Sequence, residues 1–126
     1  MTVRRVAIVF LAVGVGLIPW SIILSVTLPS RTVADHWDLA WVGFDLVLAT
    51  LMVATAVALL KRRPWGPSLA AATGALLVAD AWFDVVTAHT ANERWLAIFL
   101  AVFVELPLAT ICFVLARPDD EDRIER

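Results

Sequence analysis

The sequence predicts an all-α transmembrane four-helix bundle with antiparallel up-down topology and both termini in the cytoplasm. Of its 126 residues, 61% are hydrophobic and only 17% are charged, whereas soluble domains have about 25% charged residues. The hydrophobic residues fall in four blocks, each about 20 residues long, which is the length of a membrane-spanning helix. These blocks are too long for strands and lack period-two alternation.

The four predicted spans cover roughly residues 6–28, 37–60, 65–88 and 95–116. Short polar connectors separate them, and each connector contains a Pro, an Asn or a charge cluster, as helix ends do. Because the connectors are short, neighbouring helices are expected to run antiparallel. Residues 1–117 then form one transmembrane domain, and residues 118–126 form a charged cytoplasmic tail that we expect to be disordered.

The distribution of basic residues predicts the orientation. Eight lie on one side of the predicted membrane, in the N-terminal segment, the middle connector and the tail, against only Arg31 and Arg94 on the other side. The positive-inside rule then predicts a multi-pass plasma-membrane protein with cytoplasmic termini. The alternative is that the first span is a cleaved signal peptide. It is disfavoured because the apolar stretch exceeds the usual 7–15 residues and no clean A-x-A site follows.

The composition argues against several kinds of function. The formal net charge of −2 does not indicate a partner, because five of the acids lie in the tail. No basic patch remains once the topology is assigned, so nucleic-acid binding is not expected. Cys112 is the only cysteine, which excludes an internal disulfide and a C-x-x-C pair. His36 and His89 lack zinc-ligand spacing, and no cofactor or catalytic residue is predicted.

Five acidic residues lie inside the predicted spans, at Asp38, Asp45, Asp80, Asp84 and Glu105. At about 1.5 Å per residue, Asp45, Asp80 and Glu105 fall in one slab between the middle of the membrane and its outer half. Asp38 and Asp84 are expected nearer the outside. Residues four or seven positions apart share a helix face. Asp38 and Asp45 therefore point in one direction on the second span, and Asp80 and Asp84 point in one direction on the third. Ser21, on the first span, is expected at a depth similar to that of Asp45. These positions predict that the four helices turn their polar faces toward one axis.

No Lys, Arg or His lies within any predicted span to pair with these acids. A charged carboxylate at mid-bilayer costs several kcal/mol, about 2.5–3.5 even on the lenient insertion scale. The acids can be protonated and hydrogen-bonded to one another, line a water-filled pocket open to the outside, or hold a cation. A purely structural alternative is that shared-proton hydrogen bonds hold the bundle together. For Asp45, Asp80 and Glu105 together, the cost favours a functional site; the metal, if one binds, is unknown.

Aromatic residues accompany the acids. Trp41 lies on the face of Asp45, and Trp82 lies beside Asp84. An aromatic ring near a carboxylate suits an organic cation, through a cation–π attraction of roughly 0.5–2 kcal/mol, although such rings also fill space in a bundle. Pro107 has no N–H and so leaves the carbonyl four residues before it, beside Glu105, without its helical donor. Such a carbonyl is a plausible extra cation ligand.

Three segments carry a family resemblance: WVGFD (41–45), DAWFD (80–84) and ELPLA (105–109). They resemble a group of small four-span integral membrane proteins from actinobacterial genomes. The resemblance covers most of the chain and implies the four-span fold but no activity. In size the chain is also similar to small multidrug exporters, which carry a glutamate in the first span, where this chain has no acid. A looser similarity, of architecture only, is to the sterol-isomerase and sigma-2-receptor superfamily.

Three functions therefore remain open. The first is a binding or transport protein with an outward-facing acidic and aromatic pocket for a proton, a metal ion or a lipophilic cation. The second is an accessory or scaffold subunit of a larger membrane complex, whose acids pair with bases on a partner. The third is a membrane enzyme acting on a lipid or isoprenoid, which is less expected. Because one copy is small for a transport path, we expect a homodimer in the bilayer.

Overall fold

The computed structural model describes residues 3–117. Their regular structure is helical, and no strand occurs among them. The all-helical prediction is thereby confirmed. The predicted tail, 118–126, lies outside the described residues. The helices are α1 (Val3–Thr27), α2 (Trp37–Leu60), α3 (Gly66–Thr87), α4 (Ala91–Leu100) and α5 (Leu106–Leu115). A π-helical turn over Ala101–Glu105 joins the last two, and we call the continuous helical segment Ala91–Leu115 the α4–α5 helix.

Within the described residues, three helices are long and apolar enough to cross a membrane: α2, α3 and the α4–α5 helix. Helix α1 matches the first predicted span as a helix of 25 residues containing Pro19, and its crossing of the membrane stays a prediction. The chain divides into two units, Met1–Asp35 and His36–Arg126. The first contains α1, and the second contains the other helices.

In the second unit, α3 lies in the middle, with α2 packed on one side of it and the α4–α5 helix on the other. Leu48, Leu77 and Ala109, one from each of these helices, form the core cluster. Along α2 and α3 the contacts run in opposite senses, because Thr55 meets Thr73 whereas Leu48 meets Leu77. Helices α2 and α3 are therefore antiparallel.

The reversal between α2 and α3 is made by a Schellman motif. Arg62 adopts a left-handed conformation, with φ of 49°, and its N–H donates to the carbonyl of Leu59 at 3.1 Å. The N–H of Arg63 donates to the carbonyl of Ala58 at 2.8 Å. These two bonds satisfy carbonyls that the end of α2 leaves without helical donors. The turn is compact enough to start α3 at Gly66, against the end of α2.

The second unit buries small side chains and exposes large apolar ones. Ala58, Ala70 and Ala109 are 0–2% exposed, whereas Val53 and Phe103 are each 65% exposed. In water this pattern would leave a large apolar surface uncovered. In a bilayer the apolar surface faces lipid, and small interfacial residues let helices approach closely. The packing therefore agrees with a membrane protein.

Gly74 marks the closest approach of α3 to α5. A Cβ placed there would lie 3.1 Å from the Cβ of Cys112 and 3.1 Å from the ring of Phe113. We expect Gly74→Leu to lower the thermal unfolding temperature in detergent, because overpacking of this kind costs roughly 1–3 kcal/mol. Gly43→Leu is the matched control, since no atom lies within 4 Å of a Cβ at Gly43 among the described residues. Equal stability of the two variants would contradict the close approach.

A buried hydrogen bond joins α2 to α3: the hydroxyls of Thr55 and Thr73 lie 2.8 Å apart. A double-mutant cycle with Thr55→Val and Thr73→Val should give a coupling energy of about 0.6 kcal/mol, the average for such bonds in a membrane. Unfolding equilibria in mixed detergent would measure it. Thr50→Val, which removes a bond within its own helix to the Leu46 carbonyl, should show no coupling to Thr73→Val. Strict additivity of the Thr55 and Thr73 changes would contradict the prediction.

Candidate functional site

Three carboxylates meet where α3 packs against the α4–α5 helix. Asp80 and Asp84 lie one turn apart on α3, and Glu105 ends the π-helical turn. One carboxylate oxygen of each residue lies within 4.8 Å of the corresponding oxygens of the other two. We call Asp80, Asp84 and Glu105 the carboxylate cluster.

The π-helical turn helps to place Glu105 in this cluster. Ala97, Ala101, Glu105 and Ala109 are all buried and recur at every fourth position. Because an α-helix has 3.6 residues per turn, a stripe of every fourth residue would drift around it. The wider π turn, in which the N–H of Leu106 donates to the carbonyl of Ala101, counteracts this drift. Pro107 gives a reason for the distortion, since its ring crowds the preceding turn and it has no N–H to donate.

Glu105 is the most buried member of the cluster. Its side chain is 8% exposed, whereas Asp80 and Asp84 are half-buried. Its Oε2 atom is buried and has no hydrogen-bond partner within the described part of the chain. A buried polar atom without a partner loses its interaction with water and gains nothing in return. The fold therefore places one unsatisfied carboxylate oxygen in a residue that faces two other acids.

Electrostatic repulsion adds to this cost. Two ionised carboxylates 4.8 Å apart would repel by roughly 3–4 kcal/mol at an effective dielectric constant of about 20. Protons or another cation would offset this repulsion.

A cavity of about 270 Å³ lies at the end of the second unit where α2 and α4 begin and α3 ends. Asp84 belongs both to the cluster and to the wall of this cavity, which we call the vestibule. The residues that line it are Trp37, Trp41, Asp84, Thr87, Ala88, His89, Glu93, Leu96, Ala97 and Leu100.

The aromatic side of the vestibule comes from α2. The rings of Trp37 and Trp41 lie 5.7 Å apart in an edge-to-face contact, and Trp41 makes a similar contact with Phe44 at 6.3 Å. These three residues lie at intervals of three or four positions, so they share one face of the helix. The vestibule thus combines Trp41 with Asp84, whereas the sequence paired Trp41 with Asp45 on the same helix.

The acidic side chain of Glu93, also in the vestibule, has a structural role. Its Oε2 accepts hydrogen bonds from the backbone N–H groups of His89 at 2.9 Å and Thr90 at 3.2 Å. The Thr90 hydroxyl accepts in return from the Glu93 N–H at 3.2 Å, which completes a capping box. Glu93 is therefore engaged in this cap, and Asp84 is the vestibule acid that belongs to the cluster.

The structure brings together some of the predicted site residues. Asp80 and Glu105, expected at one depth, do lie together, and Trp41 reaches the same region through the vestibule. Asp84, expected nearer the outer surface, joins them in the cluster. Asp45 lies outside the three-residue group and is exposed on α2.

The other predicted residues lie elsewhere. Asp38 is exposed in the first turn of α2, where a negative charge favours the positive end of the helix dipole. Trp82 is 66% exposed and does not line the vestibule. Ser21 lies in α1 and therefore in the first unit, Met1–Asp35.

Sequence reasoning missed two parts of the site. Helix α4 begins at Ala91 rather than at Trp95, because the capping box adds a turn before the apolar residues begin. The signal was present, since Thr90 followed three residues later by Glu93 is the capping-box pattern. Trp37 lines the vestibule as well, and its spacing of four from Trp41 placed it on the same face.

No protein-family model, curated protein or solved structure matches the chain significantly. The carboxylate cluster and the vestibule are the features of the described residues from which function can be inferred. Chemically, the cluster offers carboxylate oxygens alone, which suit protons and hard cations.

Because the Oε2 atom of Glu105 is buried and has no hydrogen-bond partner among residues 3–117, the charge of this carboxylate should lower stability when no cation is supplied. We expect Glu105→Gln to raise the unfolding free energy by roughly 1–3 kcal/mol in detergent at pH 8 with a chelator. Differential scanning calorimetry would measure the effect. Asp38→Asn, in an exposed first turn, should give no such gain. A Glu105→Gln variant less stable than the parent would show that the glutamate is required for folding.

Proposed function

We propose that this chain is a small multi-pass membrane protein that binds a cation at the carboxylate cluster, reached through the vestibule. The observation that carries this proposal is Glu105, a buried carboxylate with an unpartnered oxygen facing Asp80 and Asp84. Acids within membrane spans are costly and face protein or water-filled cavities. Binding of a cation would explain why these costly acids are present in the spans.

The proposed arrangement in the membrane has four antiparallel spans, with α1 as the first. Both termini, the connector after α2 and the tail lie in the cytoplasm, as the eight basic residues on that side favour. The vestibule, at the opposite end of α2 from that connector, then opens to the outside of the plasma membrane. The resemblance to small actinobacterial four-span proteins supports the number of spans.

Protons, metal ions and lipophilic cations all fit this function at the level of charge. A proton would turn one carboxylate into a hydrogen-bond donor to its neighbours. A metal ion would accept oxygen ligands from several carboxylates at once. A lipophilic cation would use the aromatic wall formed by Trp37 and Trp41 with Asp84 as its counter-charge. Transport of the cation would require a path through more protein than one copy supplies, so we propose a homodimer for that activity.

A second candidate function is favoured by Asp45. Its carboxylate is exposed on a helix apolar enough to span the membrane, and it lies outside the three-residue cluster. A basic residue on a partner protein could pair with it within the membrane. An accessory subunit of a larger membrane complex would use Asp45 in this way. Asp45→Asn would then abolish co-purification of that partner. Cation binding at the cluster, by contrast, would need no partner protein.

The primary proposal predicts stabilisation by a cation. The purified chain in nonionic detergent would be heated with added protons, Mg²⁺, Ca²⁺, Mn²⁺ or tetraphenylphosphonium. At least one should raise the unfolding temperature, since a ligand at 100 times its Kd adds about 2.7 kcal/mol of stability. The shift should vanish in Asp84→Asn, which belongs to both the cluster and the vestibule, and persist in Asp38→Asn. No shift with any cation, or an equal shift in Asp84→Asn, would contradict the proposal.

A further inference from the structure

The ligand atoms of the carboxylate cluster indicate the kind of cation. All three side chains offer oxygen, with no nitrogen or sulfur in the group. Carboxylate oxygens favour Mg²⁺, Ca²⁺ and Mn²⁺, whereas Zn²⁺ and Cu²⁺ sites in proteins draw mainly on imidazole and thiolate. The donor set thus selects hard divalent ions over soft ones.

The spacing of the oxygens allows one ion to bind all three. They lie within 4.8 Å of one another, and two ligands on opposite sides of one Ca²⁺, each about 2.3–2.6 Å from it, lie roughly 4.6–5.2 Å apart. Ca²⁺ accepts flexible coordination by several carboxylates, whereas Mg²⁺ demands near-ideal octahedral geometry and is usually held by one or two. A group of three carboxylates therefore favours an ion of the size of Ca²⁺.

Charge and depth separate a metal ion from an organic cation. Three carboxylates carry up to three negative charges, and a divalent ion offsets two of them whereas an organic monocation offsets one. Glu105 is 8% exposed, which favours a small ion over a bulky one at its oxygen. Among the cluster residues, Asp84 alone lines the vestibule, so a bulky cation held there would pair with one acid. A divalent ion is therefore the ligand that pairs with all three acids.

We propose that Asp80, Asp84 and Glu105 bind one divalent metal ion of the size of Ca²⁺, an inference that rests on the cation-binding function proposed above. Asp84, shared with the vestibule, is the first ligand that an entering ion meets, and Glu105 is the deepest. The carboxylates supply three to six of the 6–8 oxygens that Ca²⁺ takes, and water from the vestibule supplies the rest. Binding gives the unpartnered oxygen of Glu105 its missing partner.

Terbium(III), a luminescent substitute for Ca²⁺, tests this assignment. The full chain in nonionic detergent would first be stripped with a chelator and then titrated with Tb³⁺ under tryptophan excitation. Trp41 lines the vestibule beside Asp84 and can sensitise the emission of an ion bound there. The expected result is saturation at one Tb³⁺ per chain, with displacement by Ca²⁺ at lower concentrations than by Mg²⁺.

The variants make the test specific. Loss of a supporting hydrogen bond near a metal commonly weakens binding by about 10–100-fold, so loss of a direct ligand in Glu105→Gln should weaken it at least as much. Glu105→Asp keeps the charge and shortens the side chain, and it should bind more weakly than the parent but more tightly than Glu105→Gln. Asp38→Asn should bind as the parent does. Circular dichroism would confirm that each variant is helical.

Two results would overturn the assignment: no saturable Tb³⁺ or Ca²⁺ binding by the parent, or equal affinity in parent and Glu105→Gln. Thermal shifts with protons and with tetraphenylphosphonium then locate the failure. If one of them still stabilises the parent but not Asp84→Asn, the divalent assignment alone is wrong. If neither does, the cation-binding function is wrong as well.

Discussion

The close packing of α3 against the α4–α5 helix is the interaction on which the candidate site depends. Small side chains on both helices make it possible, with Gly74 against Cys112 at one level and Ala97, Ala101 and Ala109 buried along the facing helix. Small residues of this kind drive helix association in lipid, where no hydrophobic effect acts between helices. Because the backbones come close, Glu105 is forced into the same small space as Asp80 and Asp84. A looser interface would let these side chains turn to water or to lipid headgroups.

The second unit inverts the usual distribution of polarity. Its exposed side chains are large and apolar, while its buried ones include two threonines and a glutamate. The threonines satisfy each other with a hydrogen bond between α2 and α3, so they stabilise the pair of helices. Glu105 has no such partner among the described residues, so we expect it to weaken the ligand-free fold. The threonine pair and the glutamate thus differ, and in the proposed function it is the unsatisfied glutamate that a ligand would stabilise.

The vestibule and the cluster share Asp84, which links an accessible region to a buried one. The capping box at the start of α4 supports this link, since Glu93 holds the backbone of His89 and Thr90 and so shapes the wall of the vestibule. On the other side, the contact between Trp37 and Trp41 builds the aromatic wall. In the proposed function these three features have separate roles. The cap at Glu93 holds the rim of the vestibule, the aromatic wall lines it, and the cluster provides the charge.

The sequence by itself determined the all-helical class, the approximate helix bounds and which acids lie in the apolar helices. Hydropathy is a local property, so α2 was predicted at its observed bounds, 37–60, and the cost of intramembrane charge singled out Asp45, Asp80 and Glu105. Tertiary structure decided which acids meet. Counting residues along a helix gives the depth of a side chain but neither its direction nor its neighbours on other helices. Asp45 was expected in the cluster because its depth was suitable. It lies exposed on α2 instead, and Asp84 belongs to the cluster. The π turn at 101–105 also escaped prediction. It depends on the packing of Glu105 against α3 as well as on the proline that follows, and that packing is set by the tertiary structure.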